Sequence, residues 1–265
     1  VITRDTYKSK FFDDKDLARL IADNPQLKGG DPEKYCPTCF KRGDYLWEGV
    51  RQECDCQQQL HLHMHYLHAG IGGTYQRLDW SDYHGTTDVT DLVDNYVGNH
   101  EAYIQRGVGL WLYGDFGTGK TMIANLMLKE FVKRGYTCFA TTLAKTIDMY
   151  TAGWKEPKER RWFERRFELS QVLLLDDVGK DLLGTTILSE STFDSLLRTR
   201  VQHNRPTFIT TNLAENMIRK NYGAAALSLL KEKSVYVEFE GVDFRPIART
   251  REDDEIKAGE VRPIV

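Results

Sequence analysis

No stretch of the 265 residues is apolar for anything near the length of a membrane span, and none reads as a secretory leader. The chain is therefore expected to be soluble and cytoplasmic, with no membrane partner. A strong charge of either sign is also missing: 36 Lys and Arg stand against 39 Asp and Glu, a formal net charge of −3. Any surface for nucleic acid must then be local. No internal repeat or low-complexity tract is visible, which removes solenoids and disordered tails as explanations of the whole. Cysteine is scarce, five in all, and four of the five crowd into one short segment. What is present is an ordinary apolar fraction of 41% and a length that allows one sizeable α/β domain plus something small.

Residues 114–121 read GDFGTGKT, a full match to the phosphate-loop pattern G-x-x-x-x-G-K-[ST]. An apolar run, 108–113, precedes it and a helix-like segment, 122–134, follows, which is the context the pattern needs. Gly114, Gly117 and Gly119 let successive N–H groups turn toward a polyphosphate. Lys120 reaches its β- and γ-phosphates, and the Thr121 hydroxyl is set for Mg²⁺. The expected nucleotide contacts are thus Gly114, Asp115, Phe116, Gly117, Thr118, Gly119, Lys120, Thr121 and Met122.

Two further strands point at the same site. The segment 171–181, QVLLLDDVGKD, is an apolar run ending in two carboxylates, as a buried parallel strand delivers acids to its C-terminal edge. Asp176 is expected to hold the Mg²⁺ water shell, and Asp177 to polarise the attacking water. Residues 206–211, PTFITT, form a β-branched and aromatic strand that brings Asn212 to that edge. Asn212 has two readings that can coexist: it orients the water or senses the γ-phosphate, or it caps the helix beginning near Ala214.

The clustered cysteines are Cys36 and Cys39, in a Cys-Pro-Thr-Cys knuckle, then Cys54 and Cys56 after fourteen intervening residues. In a cytosolic chain this spacing favours a metal over disulfides, and four thiolates suit tetrahedral Zn²⁺ in a closed, structural site. His61, His63, His65 and His68 follow at once, and a mixed Cys/His ligand set is the alternative, a solvated helix face without metal the third. Cys138 stands apart and reads as a small core residue.

Strands and helices alternate from about residue 88: helix 88–105, strand 108–113, helix 122–134, strand 137–142, helix 144–152, helix 157–168, strand 172–175, helix 189–203, strand 207–211, helices to about 232, strand 235–240. That order predicts a parallel sheet wrapped on both faces. Earlier, a helix over 15–23, a helix-like stretch 57–69 and a glycine-rich, hinge-like connector at 70–73 are expected. Residues 154–167, WKEPKERRWFERRF, carry six Lys or Arg and three Glu among aromatics. Such a stretch either grips a single nucleic-acid strand by phosphate contact and stacking or is an amphipathic helix whose aromatics enter the core.

Taken together, GDFGTGKT, VLLLDDVG, the TTNL around Asn212 and the closing VYVEFEGVDFRP resemble the DnaC/DnaI-type helicase loaders and the related IstB transposition ATPases, in the AAA+ class. The likeness covers about 90–248 well and 31–80 loosely; loader-like proteins with such a cysteine unit are in many cases phage-encoded. It implies a P-loop AAA+ parallel sheet flanked by helices, with the strand before Asn212 lying between the phosphate-loop strand and the acid strand, and a small zinc-binding module ahead of it. Along the chain, composition and pattern divide it into an N-terminal extension over 1–30, which the likeness does not cover, the cysteine module over 31–69, a linker over 70–87, the ATPase domain over 88–248 and a tail over 249–265. The likeness further implies ATP and Mg²⁺ as cofactors, with Lys120, Asp177 and Asn212 catalytic, and a homo-oligomer assembling on single-stranded DNA or a replicative helicase. One feature departs from the family. Where it carries Gly-Glu-Arg and a further Arg as a trans-acting finger, residues 223–231 hold no arginine, which puts rapid self-stimulated hydrolysis in doubt. Three functions stay open: helicase loader, IstB-like ATPase on duplex DNA, and nucleotide-gated adaptor with little turnover.

Overall fold

The structure is a computed structural model that describes residues 44–47, 49–53, 55–154, 156–179, 186–258 and 264. Cys36, Cys39, Cys54 and the helix expected at 15–23 lie outside the described residues, as does the side chain of Cys56. The first described elements are a short antiparallel hairpin, β1 (Asp44–Trp47) and β2 (Val50–Glu53), and then helix α1 (Asp55–His68). A single-turn helix α2 (Gly73–Gln76) follows, then α3 (Thr87–Gly98) and α4 (His100–Gln105). The periodicity that reads as one helix over 88–105 is broken at Asn99, whose φ and ψ of −107° and 22° leave the helical region.

The remainder alternates as the sequence predicts: β3 (Gly109–Gly114), α5 (Lys120–Lys133), β4 (Cys138–Thr142), α6 (Leu143–Ala152) and α7 (Pro157–Phe163). A π-helical turn, Glu164–Glu168, leads to β5 (Val172–Val178), followed by α8 (Thr186–Gln202), β6 (Thr207–Thr211), α9 (Glu215–Lys233), β7 (Ser234–Phe239) and α10 (Arg245–Ala258). Helix α10 runs across residue 248, where the sequence reading sets the start of a tail. The five strands β3 to β7 form one parallel sheet in the order β4-β5-β6-β3-β7. The strand before Asn212 therefore lies between the phosphate-loop strand and the acid strand.

Alternation along each strand splits the core into two layers. Leu110 and Leu112 of β3 pack with Ile123, Met127 and Phe131 of α5, whereas Trp111 faces Phe193, Leu197 and Ile218 of α8 and α9. In the basic stretch, the π turn brings Phe163 and Phe167 together inside the second layer, stacked with centroids 4.5 Å apart. The amphipathic reading holds for these two rings. Trp154 is the exception, 62% exposed.

The connector after α1 is packed against the sheet. Tyr66, Ala69 and Ile71 belong to the first core layer, and Ala69 O accepts from Ala140 N at 2.7 Å on the open edge of β4. Gly70, at φ 73°, touches Ala140 so closely that a Cβ there would sit 2.2 Å from its carbonyl oxygen, so no other residue fits. This contact covers part of an edge that would otherwise offer unpaired groups. Farther on, the buried ammonium of Lys129 in α5 donates to the carbonyls of Tyr75, Gln76 and Leu78 at 3.1, 3.2 and 2.5 Å, fastening the segment after α2 to the phosphate-loop helix.

Burial pulls the Lys129 ammonium from the ordinary 10.5 down to about 8. Between those two values the folded chain has released a proton that the unfolded chain still holds, so stability rises with pH across that window. Lys129→Met is expected to lower the unfolding free energy in urea at pH 7 by about 2 kcal/mol, since three carbonyls lose their donor. The gap between wild type and variant should widen as pH rises from about 8 toward 10.5.

Candidate functional site

Strands β3, β5, β6 and β7 are parallel, so their C-terminal ends meet at one edge of the sheet, and the predicted residues gather there. The loop after β3 turns through Gly117 and Gly119, at φ 76° and 94°, into the first turn of α5, which begins at Lys120. Asp115 and Phe116 are exposed on the loop, Thr118 is buried and donates its hydroxyl to Asp115 O at 2.9 Å, and Met122 lies in the first turn of α5. Lys120 Nζ donates to the carbonyls of Gly114 at 2.9 Å and Asp115 at 2.5 Å. Burial lowers its pKa, against the pull of Asp177, Asp115 and Asp176 and with the push of Arg245.

The carboxylates are ordered by a residue that pattern reading passes over. Asp176 Oδ1 accepts from the Thr121 hydroxyl at 2.7 Å and from the Thr210 hydroxyl at 2.6 Å. Thr210 Oγ1 also accepts from Asp177 N at 2.9 Å. At this point the β5–β6 ladder shifts register between Leu175 and Val178, and Asp177 takes a φ of 56°. Aspartate tolerates that left-handed conformation better than most residues. The bulge turns Asp177 out of the strand alternation, so neighbouring carboxylates serve one edge with different aims.

Asn212 follows β6 at the same edge. It is not the helix cap: Ala214 holds the N-cap position of α9 with no side-chain bond, and Asn212 Oδ1 is buried without a hydrogen-bond partner. An orphaned buried acceptor costs free energy unless something supplies a donor, such as a bound water. That observation favours the sensing reading over the capping one.

Four more residues at this edge come from segments outside the three motifs. The Tyr75 hydroxyl is raised by burial and then by the charges of Asp176 and Asp177, with Arg245 opposing, which sets it beside the acid pair. Tyr83 packs so close to Gly119 that a Cβ there would lie 2.8 Å from its ring, and burial pushes its hydroxyl up to about 12. The Asp243 carboxylate covers Gly117, where a Cβ would lie 1.7 Å from Oδ1, and Phe244 N donates to Gly117 O at 3.0 Å. Arg245 opens α10 next to that contact. One signal was available: a last strand parallel to β3 must release the chain at the loop edge.

The donor set fits Mg·ATP. A hydroxyl and one carboxylate are hard oxygen ligands that leave positions for phosphate oxygens and water, as Mg²⁺ prefers. Among the described residues no group of three or more His, Cys, Asp and Glu is placed to hold a metal by itself, and no helix is long and apolar enough to cross a membrane.

Residues 110–224 match the model of the ATPase family associated with various cellular activities (AAA). Over those residues the chain is similar to that family. It is similar to the replicative helicase loader DnaI of Bacillus subtilis (strain 168), 25% identical over 172 residues that cover 63% of this chain and 52% of that protein. It is also similar to an IS21-like putative ATP-binding protein of Bacteroides fragilis (strain YCH46), 35% identical over 88 residues, 31% of this chain and 43% of that one. The chain thus spans about half the length of the curated relatives it matches. The fold is shared with the crystal structure of the DnaC helicase loader, at a TM-score of 0.58 and 20% identity, over 64% of this chain and 100% of that one.

Arg198 and Arg200, on α8, differ in availability. Arg200 is 0% exposed, and its guanidinium donates to Phe167 O, Ser170 O, Pro206 O and Thr207 Oγ1 at 2.7 to 3.0 Å. It cannot act as a finger in a neighbour. Arg198 is exposed and pairs with Asp194 at 2.7 Å, and Lys231 pairs with Glu215. Thr210→Val keeps the shape but removes the tie between the Asp176 carboxylate and the backbone N–H of Asp177. Mg²⁺-dependent ATP turnover should fall roughly 10–100-fold, as for other groups that orient metal ligands, and the unpaired Asp177 N–H should lower stability in urea by about 1 kcal/mol or more.

Proposed function

We propose that this chain is an ATP-dependent loader of a replicative helicase, acting on single-stranded DNA in the cytoplasm as a homo-oligomer. The observation that carries this is the match to the AAA family together with the likeness to the replicative helicase loader DnaI over 172 residues. In this reading Lys120 neutralises the β- and γ-phosphates, Thr121 and Asp176 hold Mg²⁺, Asp177 polarises the attacking water and Asn212 orients it. Arg245 and Tyr83 add a cation and an aromatic face on the loop side. The α6–α7 corner, where Trp154, Lys158 and Arg161 are exposed, with exposed Arg165 on the π turn after it, suits a single strand through stacking and phosphate contact. Cys36, Cys39, Cys54 and Cys56 hold a structural Zn²⁺ in a module that offers the helicase a handle.

A second reading rests on the 35% identity to the IS21-like ATP-binding protein: assembly on duplex DNA for a transposase. The missing arginine at 223–231 and the burial of Arg200 also fit a chain that binds ATP tightly and turns it over slowly until a partner completes the site.

The test is ATP turnover by the purified chain alone, with single-stranded DNA, with duplex DNA and with a replicative helicase. Stimulation by single-stranded DNA or the helicase is expected, and stimulation by duplex alone favours the second reading. Lys120→Ala should abolish ATP binding. Asp177→Asn should retain binding and stop hydrolysis, and unchanged turnover in that variant would remove Asp177 from its role. About one zinc per chain, lost in Cys36→Ser, is expected by elemental analysis.

A further inference from the structure

Beside the phosphate loop, between the connector after α1 and the open side of β4, lies a cavity of about 570 Å³. It shares Tyr75 and Asp176 with the nucleotide site, and Asn125 of α5 also lines it. Other elements supply more of the lining: Phe139 of β4, Lys145 and Met149 of α6, Trp162 of α7 and Arg166 of the π turn.

That part of the lining is organised around Arg166. Its guanidinium lies over the Phe139 ring at 4.7 Å and over Trp162 at 5.5 Å, and Nη1 is 3.1 and 3.2 Å from the ring nitrogens of His68. Aromatic support and the histidine hold a flat cationic plate against the cavity wall. Lys145 is exposed at the same cavity and pairs with no carboxylate among the described residues. Asp176 lines the same cavity, and its register partner Thr142 lies three residues before Lys145, so the lysine offsets that carboxylate while Arg166 adds the second cation that favours an anion. The volume lies within the range of small-molecule clefts and exceeds the need of a bare phosphate. Planar bases stack on guanidinium and aromatic faces, and lysine accepts a phosphate as a point charge.

We propose that this cavity is a second nucleotide-binding site, taking one nucleotide unit with its base against the Arg166–Trp162 wall and its phosphate at Lys145. The unit is either a free mononucleotide or one residue of a single strand. No part of the proposal requires the helicase-loading reading.

The test uses the full chain saturated with a non-hydrolysable ATP analogue and Mg²⁺, so that the phosphate loop is filled, and equilibrium dialysis with labelled dTMP. Expected is dTMP bound in addition to the analogue, weakened about tenfold or more, some 1.4 kcal/mol, by Lys145→Glu and by Met149→Trp, which fills the cavity. Analogue binding in both variants should match wild type, which also reports that they fold. Displacement of dTMP by a short oligo-dT identifies the strand as the source, and failure to displace identifies the free mononucleotide. No dTMP uptake beyond the filled loop, or uptake unchanged in both variants, overturns the proposal. Oligo-dT that binds equally well to wild type and variants without displacing dTMP leaves strand binding to the α6–α7 corner.

Discussion

One carboxylate oxygen joins three distant parts of the chain. Asp176 Oδ1 takes the Thr121 hydroxyl from the phosphate-loop helix and the Thr210 hydroxyl from the central strand β6, while Thr210 also takes the N–H of Asp177. These bonds fix how far the loop stands from the acid strand, and they hold the bulge that turns Asp177. The parallel sheet is the means of bringing them together, because only strands that run the same way end at the same edge. Lengthening or removing any of the three strands would move a motif off that edge without altering one residue of the motif.

Two flanking segments close around this edge. The segment after α2 is fastened by Lys129, whose ammonium reaches three of its carbonyls, and it carries Tyr75 and Tyr83 to the site. The segment after β7 carries Asp243 and Arg245 to the loop, and Arg251 of α10 pairs with Asp82 of the first segment. A ligand on the loop therefore meets chain from both ends of the domain. A shift of either segment changes the site directly, with no need for the sheet to deform, which suits a packed core that moves between discrete arrangements.

The motif, the alternation of strands and helices and the sheet order were legible because each rests on local pattern plus one rule about parallel strands. Thr210 was not, although it sits two residues before Asn212, because a threonine in a β-branched strand reads as strand propensity and its partners are 33 and 34 residues away. Asp243 lies within the closing pattern, yet its place over Gly117, like those of Tyr75 and Tyr83 at the site, comes from contacts between the ends of the domain and its middle. Helix α10 was hidden by its composition, since its mean hydropathy is low and none of its residues is buried, leaving no apolar stripe to read. The π turn gave no signal either. Its effect is to set Phe163 and Phe167 on one side, four residues apart, and an ordinary helix offers the same spacing.

The charge at the edge argues for what the site admits. Asp115, Asp176, Asp177 and Asp243 stand near the loop with Lys120 and Arg245, more carboxylates than cations, so free polyphosphate meets net repulsion. A divalent cation beside Asp176 reverses that balance, and the proposed nucleotide is accordingly the magnesium complex. The same balance bears on the stretch 223–231, which holds no arginine. With Arg200 buried among backbone carbonyls, this face of the domain does not offer that guanidinium to a neighbour's γ-phosphate. Arg245, at the loop side, balances the ground state, whereas the charge that develops on the transferred phosphoryl group calls for a cation on the far side. In the proposed loader that cation comes from an exposed residue such as Arg198 or from the partner, which ties hydrolysis to assembly.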